Sequence, residues 1–211
     1  YANRGMQFEI QLGDKVASLQ TTTAGDYNVS NLTGVIACLC ALGQRLDDAV
    51  KACQALPPVP GRMELLGVAG EPLVIVDFAH TPDAIEKALR AIQPLAALRG
   101  GEIICVLGCG GNRDKAKRPL MAAVAETYAQ QIVLTSDNPR LEDPEAILRD
   151  MRVGLKAPQS ARVVVDRAQA IAEAVQHAQQ NDLVLIAGKG HETYQEINDV
   201  KYPFSDQLHA Q

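Results

Sequence analysis

The sequence predicts a doubly wound α/β domain over residues 61–211, and three observations carry that reading. Short apolar runs alternate with helical stretches, as in a parallel sheet whose strands are joined by right-handed crossovers. Three helical stretches place a proline at their first position (Pro82, Pro119, Pro144), where a missing N–H loses no helical bond. Polar clusters follow four of the apolar runs, and open α/β sheets bind ligands just past the carboxyl ends of their strands. The expected architecture is a Rossmann-like parallel sheet with helices on both faces.

Ahead of that domain, residues 6–12 and 16–21 alternate apolar and polar around Gly13-Asp14, so a β-hairpin is expected. A helix at 29–42 ends at Gly43, and a second at 47–56 stops at Pro57-Pro58. Two strands and two helices make no sheet large enough to cover them. Residues 1–60 therefore read as the C-terminal part of a larger domain cut on its N-terminal side. From residue 61, strands are expected at 73–77, 102–107, 131–135, 162–165 and 182–187. Helices fall between them at 82–92, 119–129, 144–155 and 167–180, and a hairpin pairing 194–197 with 200–202 follows.

Composition narrows the function classes. With 47% hydrophobic and 21% charged residues, the 211-residue chain can bury a core and is not disordered. A balance of 20 Lys+Arg against 25 Asp+Glu opposes general nucleic-acid binding, which needs net or clustered positive charge. No apolar run approaches the ~20 residues of a membrane span, and no signal-peptide pattern opens the chain. The five cysteines (Cys38, Cys40, Cys53, Cys105, Cys109) are odd in number and lack C-x-x-C spacing. Neither a disulfide framework nor a metal site is expected, and a reducing cytoplasm fits.

The four clusters are DFAHTPD (77–83), GCGGNRDKAKRP (108–119), SDNPRLEDP (136–144) and GKGHETY (188–194). In the second, Arg113 stands where a dinucleotide fingerprint needs its third glycine, and no G-K-[ST] closes a P-loop. What remains is a turn carrying Arg113, Lys115, Lys117 and Arg118 ahead of a helix N-terminus, either an anion site or a solvated basic loop. In the third, Arg140 beside Asp137 and Asn138 suits zwitterion recognition: the guanidinium pairs with carboxylate and the acid holds ammonium. Asp143 reads as a helix cap. Glu192, between two glycines' reach of the last strand, is the candidate acceptor for an amine. His80 could be no more than a helix-entry residue.

Taken together, these clusters resemble the Mur ligases, ATP-dependent amide-forming enzymes of peptidoglycan synthesis. The likeness runs through GDYNVSN (25–31), GRME (61–64), DFAHTPDA (77–84), GCGGNRDKAKRPLM (108–121), DNPRLEDP (137–144) and AGKGHETYQ (187–195), nearly the whole chain. It is closest to the diaminopimelate-adding branch. There the positions matching Arg113, Asp137, Asn138, Arg140, Gly188 and Glu192 bind the incoming amino acid. The resemblance further implies that Asn31 contacts adenine, Arg62 the nucleotide phosphates and Asp77 the ribose, with His80 a possible site residue of unassigned role. It implies ATP and Mg2+ as cofactors, with meso-diaminopimelate and a UDP-N-acetylmuramoyl-dipeptide as substrates, and a monomer.

The family's phosphate-binding loop, magnesium-binding acid and carbamylated lysine do not occur in these 211 residues. No catalytic residue is therefore expected within the chain, and a C-terminal fragment, inactive alone, is expected. Three other readings stand beside it: a non-catalytic amino-acid-binding module of the same fold, a related folylpolyglutamate-type ligase, and a nicotinamide-dependent dehydrogenase. The last is weakened by Arg113.

Overall fold

A computed structural model describes residues 6–23, 25–68 and 70–211. Residues 1–5 of the expected first segment lie outside it. The elements are β1 (Met6–Leu12), β2 (Lys15–Thr21), α1 (Asp26–Ala41), α2 (Leu46–Gln54), β3 (Glu64–Leu66), β4 (Leu73–Asp77), α3 (Pro82–Arg99), β5 (Ile103–Leu107) and α4 (Lys117–Tyr128). They continue as β6 (Gln131–Leu134), α5 (Pro144–Arg152), β7 (Arg162–Val163), α6 (Arg167–His177), β8 (Leu183–Ala187), β9 (Tyr194–Ile197), β10 (Val200–Pro203) and α7 (Asp206–His209).

β1 and β2 form the expected hairpin, with Leu12 opposite Lys15 and Gly13 in the left-handed region at the turn. Ile10 and Leu19 pack with Ile36 of α1 and with Leu46, Ala49, Val50 and Cys53 of α2 in a small separate core. α1 starts three residues earlier than periodicity suggests. Ile36 is its buried side chain, while Val35 and the following Leu42 are exposed, so this core covers little of the helix's apolar surface.

The six-stranded sheet runs in the order β3-β4-β8-β5-β6-β7. All its pairings are parallel except β3 with β4. Alternate strand residues enter two cores. Ile75, Cys105, Leu107, Leu134 and Leu185 join Leu89, Ile92, Met121 and Leu148 of α3, α4 and α5. Val74, Val76, Ile104, Val106, Val133, Val184 and Ile186 join Ala170, Ile171 and Ala174 of α6. Burial on both faces explains why these strands read as continuous apolar runs. Truncating one such side chain, Ile75→Ala for example, costs roughly 2–5 kcal/mol.

Three expectations need correction. α3 continues through Pro94 to Arg99 instead of stopping at residue 92. Gln93 and Pro94 are exposed while Ile92, Leu95 and Ala96 are buried, so the apolar stripe outweighs the ~3 kcal/mol interior proline penalty. α4 begins at Lys117, not Pro119, which places the proline third in the first turn, where its N–H would have no helical partner anyway. The antiparallel edge strand β3 was not anticipated: its three residues are half-buried and show no alternation.

β4 and β5 flank β8, so the chain passes β8's place on the way out and returns to it through α6. That reversal opens a crevice at the carboxyl ends of β4, β8 and β5, the position where such sheets hold ligands.

Candidate functional site

The loops after β4, β5, β6 and β8 enclose a cleft of about 410 Å³. His80, Arg113, Asp137, Asn138, Arg140, Gly188 and Glu192 all line it. The six expected amino-acid contacts and His80 are thus brought together from four strand ends. Asn31, Arg62 and Asp77 are not part of the lining.

The loop after β6 is fastened on both sides. Gly111 N–H donates to the Asn138 carbonyl (2.8 Å), and Arg140 Nη1 donates to the Gly111 carbonyl (2.8 Å). On the other side, Arg140 N–H donates to the Glu196 carbonyl (3.0 Å) and Asn198 N–H to the Arg140 carbonyl (2.8 Å). Gln195 Nε2 donates to the Asp137 carbonyl at 2.7 Å. The β9–β10 hairpin therefore supports the loop and holds Arg140 at φ 51°, a left-handed conformation uncommon for a side-chain-bearing residue. Arg140 Nε also pairs with Glu196 Oε2 at 3.1 Å.

Glu192 is not an isolated acceptor. Its Oε2 receives Asn138 Nδ2 (2.9 Å) and Lys189 Nζ (3.1 Å), and Lys189 Nζ also donates to Asn138 Oδ1 (2.8 Å). Lys189 is fully buried and lies 3.7 Å from Asp137 Oδ1. Sequence reasoning noted this lysine only as one polar residue of a glycine turn. Its partners Asp137 and Asn138 are about fifty positions away, so no local pattern could mark it.

Gly188 serves the site through space. At φ 120° it adopts a backbone that side chains resist, and an added Cβ would stand 2.6 Å from Asp137 Oδ2. Its N–H donates to the Asp77 carbonyl at 3.1 Å.

The basic turn after β5 is largely neutralised within the protein. Arg118 is only 1% exposed, pairing with Glu142 (2.9 Å) and Asp150 (2.8 Å). Lys115 also meets Glu142, at 3.2 Å, and Lys117 lies 4.0 Å from Asp114. Arg113, Lys117 and Arg118 line the cleft, so the turn is not merely a solvated loop, but Arg118 braces α4 against α5, and Arg113 is the basic side chain of the turn with no ion pair among the described residues. Hydrogen bonds from Arg118, then from Asn112 N–H, hold the Glu142 carboxyl down at about 2.

The expected nucleotide contacts lie at other places. Asn31 sits on exposed α1, its Nδ2 3.4 Å from Asn28 Oδ1. Asp77 is buried, with Oδ2 accepting from Met63 N–H (2.8 Å) and Oδ1 from Ala79 N–H (2.9 Å). Burial pushes its carboxyl up, and the backbone bonds and Arg62 draw it partly back. Its oxygens thus carry a structural load, with only their remaining lone pairs left for a ligand. The Arg62 guanidinium lies 4.6 Å from the Phe78 ring centroid, an arrangement compatible with donating to phosphate oxygens. His80 Nδ1 is 2.6 Å from the Phe78 carbonyl. A carbonyl only accepts, so Nδ1 carries the proton and Nε2 is left for other partners.

Among the described residues no group of three or more His, Cys, Asp or Glu could hold a metal ion, all five cysteines are free thiols, and no helix is long and apolar enough to cross a membrane.

Fold and cleft together define an open α/β ligand-binding domain whose cleft presents cations and carboxylates side by side. Residues 61–190 match the family described as Mur ligase, glutamate ligase domain, and the chain belongs to that family. It is 54% identical to the UDP-N-acetylmuramoyl-L-alanyl-D-glutamate–2,6-diaminopimelate ligase of Acidovorax sp., over 100% of this chain and 42% of that relative. The ligase of the same name from Ralstonia nicotianae is 48% identical over 98% of this chain and 40% of its own length. A solved structure bearing that name superimposes with a TM-score of 0.74 at 38% identity, covering 100% of this chain and 42% of that one. The chain thus spans about two-fifths of the length of the curated relatives it matches.

Proposed function

We propose that the chain carries the amino-acid-binding part of an ATP-dependent ligase that joins meso-diaminopimelate to UDP-N-acetylmuramoyl-L-alanyl-D-glutamate in peptidoglycan synthesis. The observation that carries this reading is that Arg113 and Arg140 line the same cleft as Asp137 and Glu192. Diaminopimelate has an amino-acid head at each end, so two guanidinium groups answer two carboxylates, and the acids answer an ammonium. Asn138 orients Glu192, and Gly188 lends its carbonyl. The names of the relatives support the same substrate.

On this reading residues 1–60 are the C-terminal part of the central nucleotide-binding domain and residues 61–211 the amino-acid-binding domain. Asn31, Arg62 and Asp77 would meet the nucleotide. Of these, Arg62 fits best, as a cation over the ring of Phe78, which itself lines the cleft. Bound ATP with Mg2+ supplies the activation of the glutamate carboxylate as an acyl phosphate. The residues of this chain orient the attacking amine, which is a large part of what such a reaction needs. A monomer working in the cytoplasm on small-molecule substrates completes the picture.

The test is an assay of the complete gene product with the UDP-dipeptide, ATP, Mg2+ and meso-diaminopimelate. Phosphate release should depend on diaminopimelate and match amide formed. Release indifferent to the amino acid would refute the proposal.

A further inference from the structure

We infer that Lys189 is a positioning residue for ammonium recognition in the cleft, a role that rests on the amino-acid reading above. A lysine ammonium carries three N–H donors. Here the acceptors close at hand are Asn138 Oδ1 (2.8 Å), Glu192 Oε2 (3.1 Å) and, farther off, Asp137 Oδ1 (3.7 Å). All three belong to residues that line the cleft, while Lys189 itself is fully buried and does not line it. The ammonium therefore sits behind the recognition surface. It is flanked by Gly188 (φ 120°) and Gly190 (φ 54°), conformations that let the chain turn tightly on both sides of it.

Its effect on the surface residues is specific. Asn138 Oδ1 accepts from Lys189 and from Glu196 N–H (3.0 Å), which fixes the amide so that Nδ2 points at Glu192. Nδ2 then donates to the same Oε2 that Lys189 holds. Lys189, Asn138 and Glu192 close a triangle in which one Glu192 oxygen is saturated from inside. Oε1, which has no hydrogen-bond partner among the described residues, is the oxygen left for a ligand ammonium.

Charge follows the same logic. Asp137 and Glu192 bring two negative charges to one wall, and the internal ammonium offsets one of them. Without Lys189 both carboxylates would lose their nearest cation, leaving the buried Arg167 as the charge acting on them from inside, and Asn138 would lose the contact that holds its Oδ1. Lys189 thus acts through Glu192 and touches no substrate itself.

A double-mutant cycle on the complete gene product tests this, with binding of meso-diaminopimelate read by titration calorimetry and folding checked by thermal unfolding. Lys189→Met should weaken binding about tenfold or more in the wild-type background, as loss of a charged hydrogen bond does. In the Glu192→Gln background the same change should add less than about twofold, because the group it positions is already impaired. Losses that multiply, or a Lys189→Met variant that binds normally, would overturn the inference. Should Lys189→Met lose its cooperative unfolding transition, Lys189→Gln, which removes the charge but keeps an N–H pair, takes its place: a loss of about threefold or more that nearly vanishes in the Glu192→Gln background is expected, and losses that multiply would overturn the inference. A wild-type chain that binds no diaminopimelate would instead bring down the amino-acid reading beneath it.

Discussion

Arg140 Nε stands 3.1 Å from Glu196 Oε2, and the same guanidinium donates through Nη1 to the Gly111 carbonyl at 2.8 Å. Its fork is therefore oriented from β9 and from the glycine loop before any ligand arrives. A lysine ammonium could not satisfy both partners and still present a planar edge to the cleft. This pair is what makes Arg140 the better candidate for reading the carboxylate that distinguishes diaminopimelate from lysine.

In the complete enzyme, Arg140→Ala should raise the KM for diaminopimelate at least about tenfold, since a carboxylate left desolvated and unpaired loses ~2–5 kcal/mol. Lysine should lose little, and ATP affinity should be nearly unchanged. Steady-state assays with both amino acids decide it: equal losses for the two would remove Arg140 from the carboxylate-reading role. Arg140→Lys should fail to restore the selectivity.

Glu142 gives a pH signature. Its carboxyl is held at about 2 by hydrogen bonds from Arg118 and Asn112 N–H, against roughly 4.3 in an unfolded chain. A carboxyl depressed in the folded state contributes stability that is fully present above the unfolded value and is lost as pH falls through the folded one. Stability should therefore decline between about pH 4.5 and 2. Urea unfolding of Glu142→Gln should show a shallower decline over that window, and a lower plateau at neutral pH. Parallel pH curves for variant and wild type would contradict the assignment.

Arg167 and Asp206 form a fully buried pair, 2.7 and 2.8 Å apart at two contacts, and Arg167 also reaches the carbonyls of Ser136 and Ala187. Ala187 ends β8 just ahead of Gly188, and Ser136 lies two residues past β6, just ahead of Asp137. Asp206→Asn leaves a buried guanidinium without its counter-charge and should destabilise the chain by roughly 3–5 kcal/mol. The double variant Arg167→Met, Asp206→Leu should recover most of that loss in chemical denaturation. A double variant no more stable than Asp206→Asn would show that the carbonyl contacts, not the charge pair, dominate.

Gly188→Ala places a methyl against Asp137 Oδ2 on a backbone at φ 120°. Diaminopimelate binding should weaken by at least about tenfold, and stability should drop by about 1–3 kcal/mol for the strained backbone. Unchanged affinity would show that Asp137 is not held against the ligand.

The sheet was legible because its strands are buried on both faces and its helices carry cap residues: Thr81 accepts from Ala84 N–H, Asp143 from Glu145 N–H and Asp166 from Gln169 N–H. The site's address was legible for the same reason, since polar clusters at strand ends have few other uses. What periodicity misread were Pro94, where buried Leu95 and Ala96 keep the helix going, and the start of α4, which carries Arg118 inside. What it could not reach were pairs made only by folding. Lys189 with Asn138 and Arg167 with Asp206 join residues 51 and 39 positions apart, and each is decided by burial that no neighbouring residue announces.

The measurement closest to the central claim is the binding of meso-diaminopimelate and of L-lysine to the 211-residue chain by titration calorimetry. A cleft that reads both ends of the ligand should bind diaminopimelate at least about tenfold more tightly than lysine, which lacks the carboxylate that Arg140 would hold. Arg140→Ala should collapse that difference. Equal affinity for the two amino acids in the wild-type chain, or tighter binding of lysine, would contradict it.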